Sequence, residues 1–556
     1  MAPESQSAKP GTLRWPDDPY IGLTSYKVSD RLLFAARQND VDLFVSQMTG
    51  ASIRIMLLHG ETGCGKTSFL NAGVMPDLEE RIGSFHVVRD PNRDYRYALL
   101  VRSTHDPLGM LAYEVFQMVR ADKHVTGRRE HEYHSQLLEG YGSDLDFRQA
   151  VDRDPGILVQ VLAEISENDP RSIVIGVDQA EEIFSLKPGK EGDAARRGFF
   201  HFLVRCTKTE SSMKLLIAFR TEFHGRFYSA VRQARGGTAD VQRIGDFYLR
   251  QLSEDDLVEV IERPASDRES IPGYGSPRDH YKFRYENGVA RTIVKELAGE
   301  PIPLPALQIV CRRLYLQAEA EPKVDNLAVI RLRAFRLNGV LGQIDGHLQQ
   351  ALDQTLGVYN LRESGRWRDV LWTLARDQPG GGVTTKVIEE TVLRATAEKY
   401  SVGEKFDDTL MALSKEPWQI LKQVNVQKRE SLEVLSCYSL GHDVIGYALR
   451  GWDHLRSKHR KVLWLFRGAF GVLALGQAYR LLLPPFDTGM GLASWGVPLA
   501  IATIACIPNM RYTRGLYDAV YGNILDVLGI FALLQIRVAM PLPAVRAQPP
   551  RTQDRR

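Results

Sequence analysis

The sequence predicts an α/β P-loop NTPase, a parallel sheet with helices on both faces, followed by helical blocks and transmembrane helices. Three observations carry this. Between about 19 and 265, short apolar β-branched runs alternate with longer helical stretches, the pattern of a parallel sheet covered by helices. One such run leads straight into Gly60-Glu-Thr-Gly-Cys-Gly-Lys-Thr67. From about 462 the chain changes to long apolar runs.

At 556 residues the chain exceeds one compact core, and roughly three to four domains are expected. A net charge of +3 on 71 basic and 68 acidic residues gives no global electrostatic case for nucleic acid, and no direct nucleic-acid binding is expected. Cys64, Cys206, Cys311, Cys437 and Cys506 are scattered, which fits a reducing compartment rather than a disulfide or zinc framework. Met1 to Pro19 holds no apolar run suited to a signal peptide, so the NTPase part is expected in the cytosol.

Along the chain, residues 1–18 read as a polar, disordered lead. The strands expected in the NTPase region, 19–284, are Ile53 to Leu58, Ala98 to Arg102, Ile173 to Val177 and Lys214 to Phe219. Val294, Leu297, Leu307, Val310 and Leu314 follow helical spacing in a block ending near 360. A second helical block, 361–456, carries one strand-like segment at Leu432 to Leu440.

The phosphate motif stands in its required strand-loop-helix context, because Ile53 to His59 reads as a strand and Ser68 to Ala72 as a helix start. Gly60, Glu61, Thr62, Gly63, Cys64, Gly65, Lys66, Thr67 and Ser68 are the candidate phosphate-binding residues. Backbone N–H groups freed by the glycines converge on phosphate, Lys66 is placed to reach the β- and γ-phosphates, and the Thr67 hydroxyl to ligate Mg²⁺. A second acidic strand is needed for the metal, and Ser172 to Asp178 supplies it, with Asp178 at its C-terminal end. Gln179 stands where many such enzymes carry a catalytic glutamate, so the water-activating role passes to Glu181 or Glu182. The run Lys214 to Phe219 ends on Arg220, which at that place can contact a γ-phosphate.

Taken in order, segments from about 19 to 455 resemble the novel STAND NTPase family, relatives of the NACHT and apoptotic ATPases. Pro19-Tyr-Ile-Gly-Leu23 with Leu33-Phe-Ala-Ala-Arg37 resembles the family's entry motif, with Ala36 in place of its usual glycine. Thr67-Ser-Phe-Leu-Asn-Ala-Gly-Val-Met-Pro76 and Asp178-Gln-Ala-Glu-Glu-Ile-Phe184 match its phosphate-loop helix and acidic motif. Phe219-Arg-Thr-Glu-Phe223, Leu252 to Leu257 and Ile261-Glu-Arg-Pro-Ala265 resemble its sensor-arginine strand end and the helix after it. Pro303-Leu-Pro-Ala-Leu-Gln308 resembles its helical-domain proline motif, and Tyr438-Ser-Leu-Gly-His-Asp443 its winged-helix motif. The resemblance implies that Arg37 lines the nucleotide pocket, that Pro305 packs near the base, and that His442 touches the β-phosphate of ADP. It implies a winged-helix domain over 361–456 and a switch that is closed with ADP. ATP and a trigger, such as a foreign protein, would open it into a homo-oligomer, in bacterial conflict or antiphage defence.

The region 457–556 is expected in a membrane, with spans at about 462–484 and 488–510 and a weaker third segment at 519–536 that holds Asp526. Arg456, Lys458, Arg460 and Lys461 precede the first span, and Arg511 and Arg514 follow the second. Both basic flanks belong in the cytosol, so the expectation is a multi-pass protein of the cytoplasmic membrane, in contact with lipid. The competing readings are a nucleotide-binding membrane scaffold without turnover and a nucleic-acid-remodelling ATPase, the latter disfavoured by the near-neutral charge.

Overall fold

The computed structural model describes residues 14–87, 100–102, 106–120, 138–168, 171–185, 190–234, 242–298, 303–356, 361–377, 382–415, 418–427 and 434–450. These fall into two compact units. The first lies within 1–315, 323–332 and 425–435, the second within 316–322, 333–424 and 436 onward.

The first unit is built on six parallel strands, β1 (Ile55–Gly60), β2 (Phe85–Val87), β3 (Leu100–Arg102), β4 (Ser172–Asp178), β5 (Lys214–Arg220) and β6 (Ile244–Tyr248). Their order is β2-β4-β5-β1-β6, with β3 on the same edge of β4 as β2. The strands that end on Gly60 and Asp178 are therefore separated by β5, which ends on Arg220. Both faces are covered, which is why the central strands read as unbroken apolar runs. Alternation divides them: Ile55, Leu57, Ile175, Val177, Ile217 and Phe219 join one buried cluster, and Met56, Leu58, Val174, Leu216 and Ala218 the other.

Four of the strands match the expected apolar runs, shifted by up to two residues. β2 and β6 were not expected. Each has at most three buried positions, so neither carries the long apolar run that marks a central strand. The lead also ends earlier than expected, because Trp15 is buried and its Nε1–H donates to the Gly275 carbonyl at 3.0 Å. The carbonyl of Pro16 accepts from the Tyr281 hydroxyl at 2.7 Å. A further parallel pair, β7 (Phe283–Tyr285) and β8 (Ala328–Ile330), closes this unit.

In the second unit the helices Gly339–Leu356, Leu361–Trp372, Glu390–Lys399 and Phe406–Ser414 accompany more strand than the sequence suggested. β9 (Ala375–Asp377) and β10 (Val383–Thr385) pair antiparallel. β11 (Ile388–Glu389), β12 (Leu421–Gln427) and β13 (Val434–Leu440) form a sheet of order β11-β13-β12, although residues 425–427 and 434–435 are grouped with the first unit. Most of these strands have two or three residues, too few for a period of two to emerge from a helical background. The helical block expected from 285 to 360 is divided, since residues up to Tyr315 group with the six-stranded sheet.

The spans expected at 462–484 and 488–510, and the segment 519–536, lie outside the described residues. Among the described residues no helix is long and apolar enough to cross a membrane.

Candidate nucleotide site

Three strand ends meet at one edge of the six-stranded sheet. Gly60 pairs in register with Arg220, and Val177, one residue before Asp178, with Ile217. The loop from Glu61 to Gly65 turns off β1 with φ values of 76° at Gly63 and 92° at Gly65, left-handed conformations that glycine takes without a Cβ penalty. It then feeds Lys66–Ser68, which continues into wider helical turns at Phe69–Val74 and Asp77–Ile82.

Lys66 Nζ donates to the carbonyls of Gly60 and Glu61, each at 2.9 Å. The Thr67 hydroxyl donates to Asp178 Oδ2 at 2.7 Å, joining the two candidate metal ligands across 111 residues of sequence. Ser68 Oγ accepts from the Tyr26 backbone N–H at 3.1 Å, so the phosphate-loop helix is tied to the entry segment. Glu61 Oε2 accepts from Gln251 Nε2 at 3.2 Å. Thr62 is half-buried. Cys64 is buried, and burial pushes its thiol up against the lowering pull of Lys66 and Arg37, so it stays neutral.

Arg37 is 4% exposed and supports the loop from behind, its Nη2 donating to the Cys64 carbonyl at 3.0 Å and its Nη1 pairing with Asp40 at 2.8 Å. Ala36, the residue that replaces the family's glycine, has a φ of 60°. A side chain there carries a left-handed cost. Ala36→Gly is expected to raise stability by about 0.5–1 kcal/mol, the strain relieved less the extra entropy of an unfolded glycine. Equilibrium denaturation of parent and variant measures this, and an unchanged midpoint would remove the strain argument.

On β4, Asp178 is 9% exposed and the next residue, Gln179, has a φ of 56°. Gln179 Oε1 is buried without a hydrogen-bond partner among the described residues. A strained residue with an unpaired amide oxygen beside a carboxylate is the kind of feature that collects at functional sites. Glu181 is 8% exposed and meets Arg220 twice, accepting from Arg220 Nε at 3.2 Å and from its backbone N–H at 3.3 Å. Burial pushes the Glu181 carboxyl up, while a backbone hydrogen bond and Arg220 pull it down. Glu182 is half-buried, and its N–H donates to the Gln179 carbonyl at 3.0 Å. Of the two glutamates, which the sequence left equivalent, Glu181 is held against Arg220.

Pro305 lies in the first turn of the helix Pro303–Glu319. The preceding Leu304 lies 3.5 Å from where a Cβ on Gly65 would sit, so this turn borders the phosphate loop. Further along, Gln308 Oε1 accepts from the Ile21 N–H at 3.1 Å and Gln308 Nε2 donates to the Tyr26 hydroxyl at 3.1 Å. Tyr20 donates to the Ile261 carbonyl at 2.6 Å. The entry, proline and Ile261 motifs, scattered over 290 positions, therefore form one support behind Ser68. Gln308 and Tyr26 were not among the expected site residues. Gln308 ends a recognised motif, and that was the available signal.

His442 belongs to the second unit. There its Nδ1 accepts from the Val444 N–H at 3.4 Å, capping the helical residues 443–450. A Cβ on the preceding Gly441 would fall 2.0 Å from the Gln419 carbonyl oxygen, which leaves room for glycine alone in that motif position.

Sheet order, glycine loop and acidic strand together define a nucleotide-binding P-loop NTPase. The chain belongs to the novel STAND NTPase 1 family, whose model matches residues 19–461. No curated protein matches. Among solved structures, the Walker-type ATPase PABY2304 of Pyrococcus abyssi is 13% identical with a TM-score of 0.34, over 75% of this chain and 96% of that one. The Aeropyrum pernix ORC1 protein in complex with DNA is 15% identical with a TM-score of 0.33, over 75% of this chain and 92% of that one.

Proposed function

We propose that the chain is an ATP-binding and ATP-hydrolysing signalling switch, held at the cytoplasmic membrane by the segment 457–556. The observation that carries the chemistry is the 2.7 Å contact between Thr67 Oγ1 and Asp178 Oδ2. A hydroxyl and a carboxylate brought together beside a phosphate loop are the hard oxygen donors that suit Mg²⁺. Thr67 and Asp178 would hold the ion, which when bound offsets charge on the phosphate oxygens. Lys66, now satisfied by loop carbonyls, would turn to the β- and γ-phosphates, and Gly60 to Ser68 would cradle them with backbone N–H groups. Glu181 would orient the attacking water and Arg220 meet the γ-phosphate, so that the 3.2 Å pair between them is broken or remade as the phosphate leaves. Arg37 stiffens the loop, and Pro305 would border the base.

In this reading residues 19–284 carry the chemistry, 285–360 form a helical module, and 361–456 a winged-helix-like module in which His442 senses ADP. A trigger, with a foreign protein as one candidate, would exchange ADP for ATP and yield a homo-oligomer. A role in bacterial conflict rests on family analogy. His442→Ala tests the switch: it is expected to weaken ADP binding by about 10-fold and to raise basal output, because the contact exists in one state only. Unchanged ADP affinity and unchanged output would leave His442 as the helix cap described above.

The membrane arm has its own test. A chain ended near Arg456 is expected to stay in the supernatant after membrane sedimentation, to bind nucleotide as the full chain does, and to lose cellular output. A truncated chain that still signals would place the output in residues 19–456. The second reading, a nucleotide-binding scaffold without turnover, is favoured by Gln179, which has no acidic group where many NTPases carry one. Single-turnover measurement with full-chain protein separates the two.

A further inference from the structure

A second cluster of donor atoms lies at the nucleotide end of the sheet, on the face away from the phosphate-loop helix. His59, the residue before Gly60, lies on β1 with its ring stacked on Phe219. Asp246 lies on β6, and His224 opens the helix His224–Ala234. One carboxylate faces both imidazoles: His59 Nε2 is 3.3 Å from Asp246 Oδ1, and His224 Nε2 is 2.8 Å from Asp246 Oδ2. The three donor atoms all lie within 4.8 Å of one another.

We propose that His59, His224 and Asp246 form a binding site for a zinc-class divalent cation, separate from the nucleotide metal. Zn–N and Zn–O distances of about 2.0–2.2 Å put tetrahedral donors about 3.3 Å apart; the two imidazole-to-carboxylate separations, 3.3 and 2.8 Å, lie near this, and with all three donors within 4.8 Å, rotation of the rings and carboxylate would close the site. Two imidazoles and one carboxylate select zinc, copper, iron or nickel over Mg²⁺, which prefers oxygen donors. The surroundings are those of a metal site. His59 Nδ1 is 2.7 Å from the Thr221 hydroxyl. When Nδ1–H donates there, Nε2 keeps its lone pair and directs it at a carboxylate oxygen, an arrangement that a cation between them makes favourable. Tyr228 sits beside the cluster, its ring 4.9 Å from that of His224, and its hydroxyl bonds to Asp246. The side chains of His224 and Asp246 are each 35% exposed, which leaves an entry path and a fourth position for water.

The site joins β1, β6 and the helix after β5 at the end of the sheet where the nucleotide site lies. Thr221, which holds His59, directly follows Arg220. A metal here would therefore fix the strand ends on which Gly60 and Arg220 are carried and, if the chain is the switch proposed above, would act on it from the side opposite the phosphate loop.

The test uses the full chain, stripped with a chelator and titrated with Zn²⁺ alone, without nucleotide or Mg²⁺, against a colorimetric chelator, and in parallel with Co²⁺ read by its visible absorption. The parent is expected to take up one equivalent, with a Co²⁺ band typical of tetrahedral or five-coordinate nitrogen and oxygen donors. His224→Ala and Asp246→Asn should each weaken binding by at least about 10-fold, and Thr221→Val, which removes only the support of His59, by about 10-fold. His224→Cys keeps a donor and should retain the metal with a new thiolate-to-Co²⁺ charge-transfer band, which guards against loss through misfolding. A parent that takes up no metal would overturn the site and leave a hydrogen-bonded His–Asp–His ladder. Metal that persists unchanged in His224→Ala and Asp246→Asn would do the same by placing it elsewhere.

Discussion

Lys66→Ala is expected to lose Mg-ATP binding by about 2–4 kcal/mol, roughly 30- to 1,000-fold in affinity, with the fold unchanged. Lys66 lies on the loop, and its Nζ already sits 2.9 Å from the Gly60 and Glu61 carbonyls. Its side chain adds little to the core, because the helix it begins is held by Phe69, Leu70 and Val74, which are fully buried. Melting temperature should therefore stay within a few degrees of the parent while nucleotide-induced stabilisation disappears. Titration with a fluorescent ATP analogue in Mg²⁺ checks this. A variant that binds as tightly as the parent would remove Lys66 from the phosphate site and with it the assignment of the loop.

Glu181→Gln is expected to keep nucleotide binding and lose hydrolysis by about 10²-fold or more, the size of a lost general base. Glu182→Gln should turn over near the parent rate, since Glu181 is the carboxylate held against Arg220 at 3.2 Å. The pH dependence gives a second readout. Burial raises the Glu181 carboxyl above its ordinary value, so the proton is held longer in the folded protein than in the unfolded chain. The ionised, catalytically useful form then appears only as pH rises through the raised folded value. The acid limb of kcat should lie above about 4.3, the value of an unperturbed glutamate, and should vanish in Glu181→Gln. The stability sign runs the other way: the contribution from this group is fully present below the unfolded value and declines as pH rises through the folded one. If Glu182→Gln abolishes turnover and Glu181→Gln does not, the Glu181–Arg220 pair is structural and the water-activating role belongs to Glu182.

Much of this protein is legible in its amino-acid order because the relevant physics is local. Glycines at 63 and 65 announce a left-handed loop, an apolar run before them announces a buried parallel strand, and Lys66 and Thr67 follow at fixed spacing because a helix N-terminus must meet phosphate there. Asp178 is legible for the same reason, as an acid at the end of an apolar strand. Sequence order leaves open what depends on which strands become neighbours. The insertion of β5 between β1 and β4 brings Arg220 against Glu181, and no spacing rule encodes that contact. The left-handed turn at Gln179 and the convergence of Tyr20, Tyr26 and Gln308 behind Ser68 are likewise products of packing. His59, His224 and Asp246 are spread over 187 positions, from 59 to 246, and have no motif in common. Strands β1 and β6 and the helix after β5 had to be brought together before their donor atoms could lie within 4.8 Å.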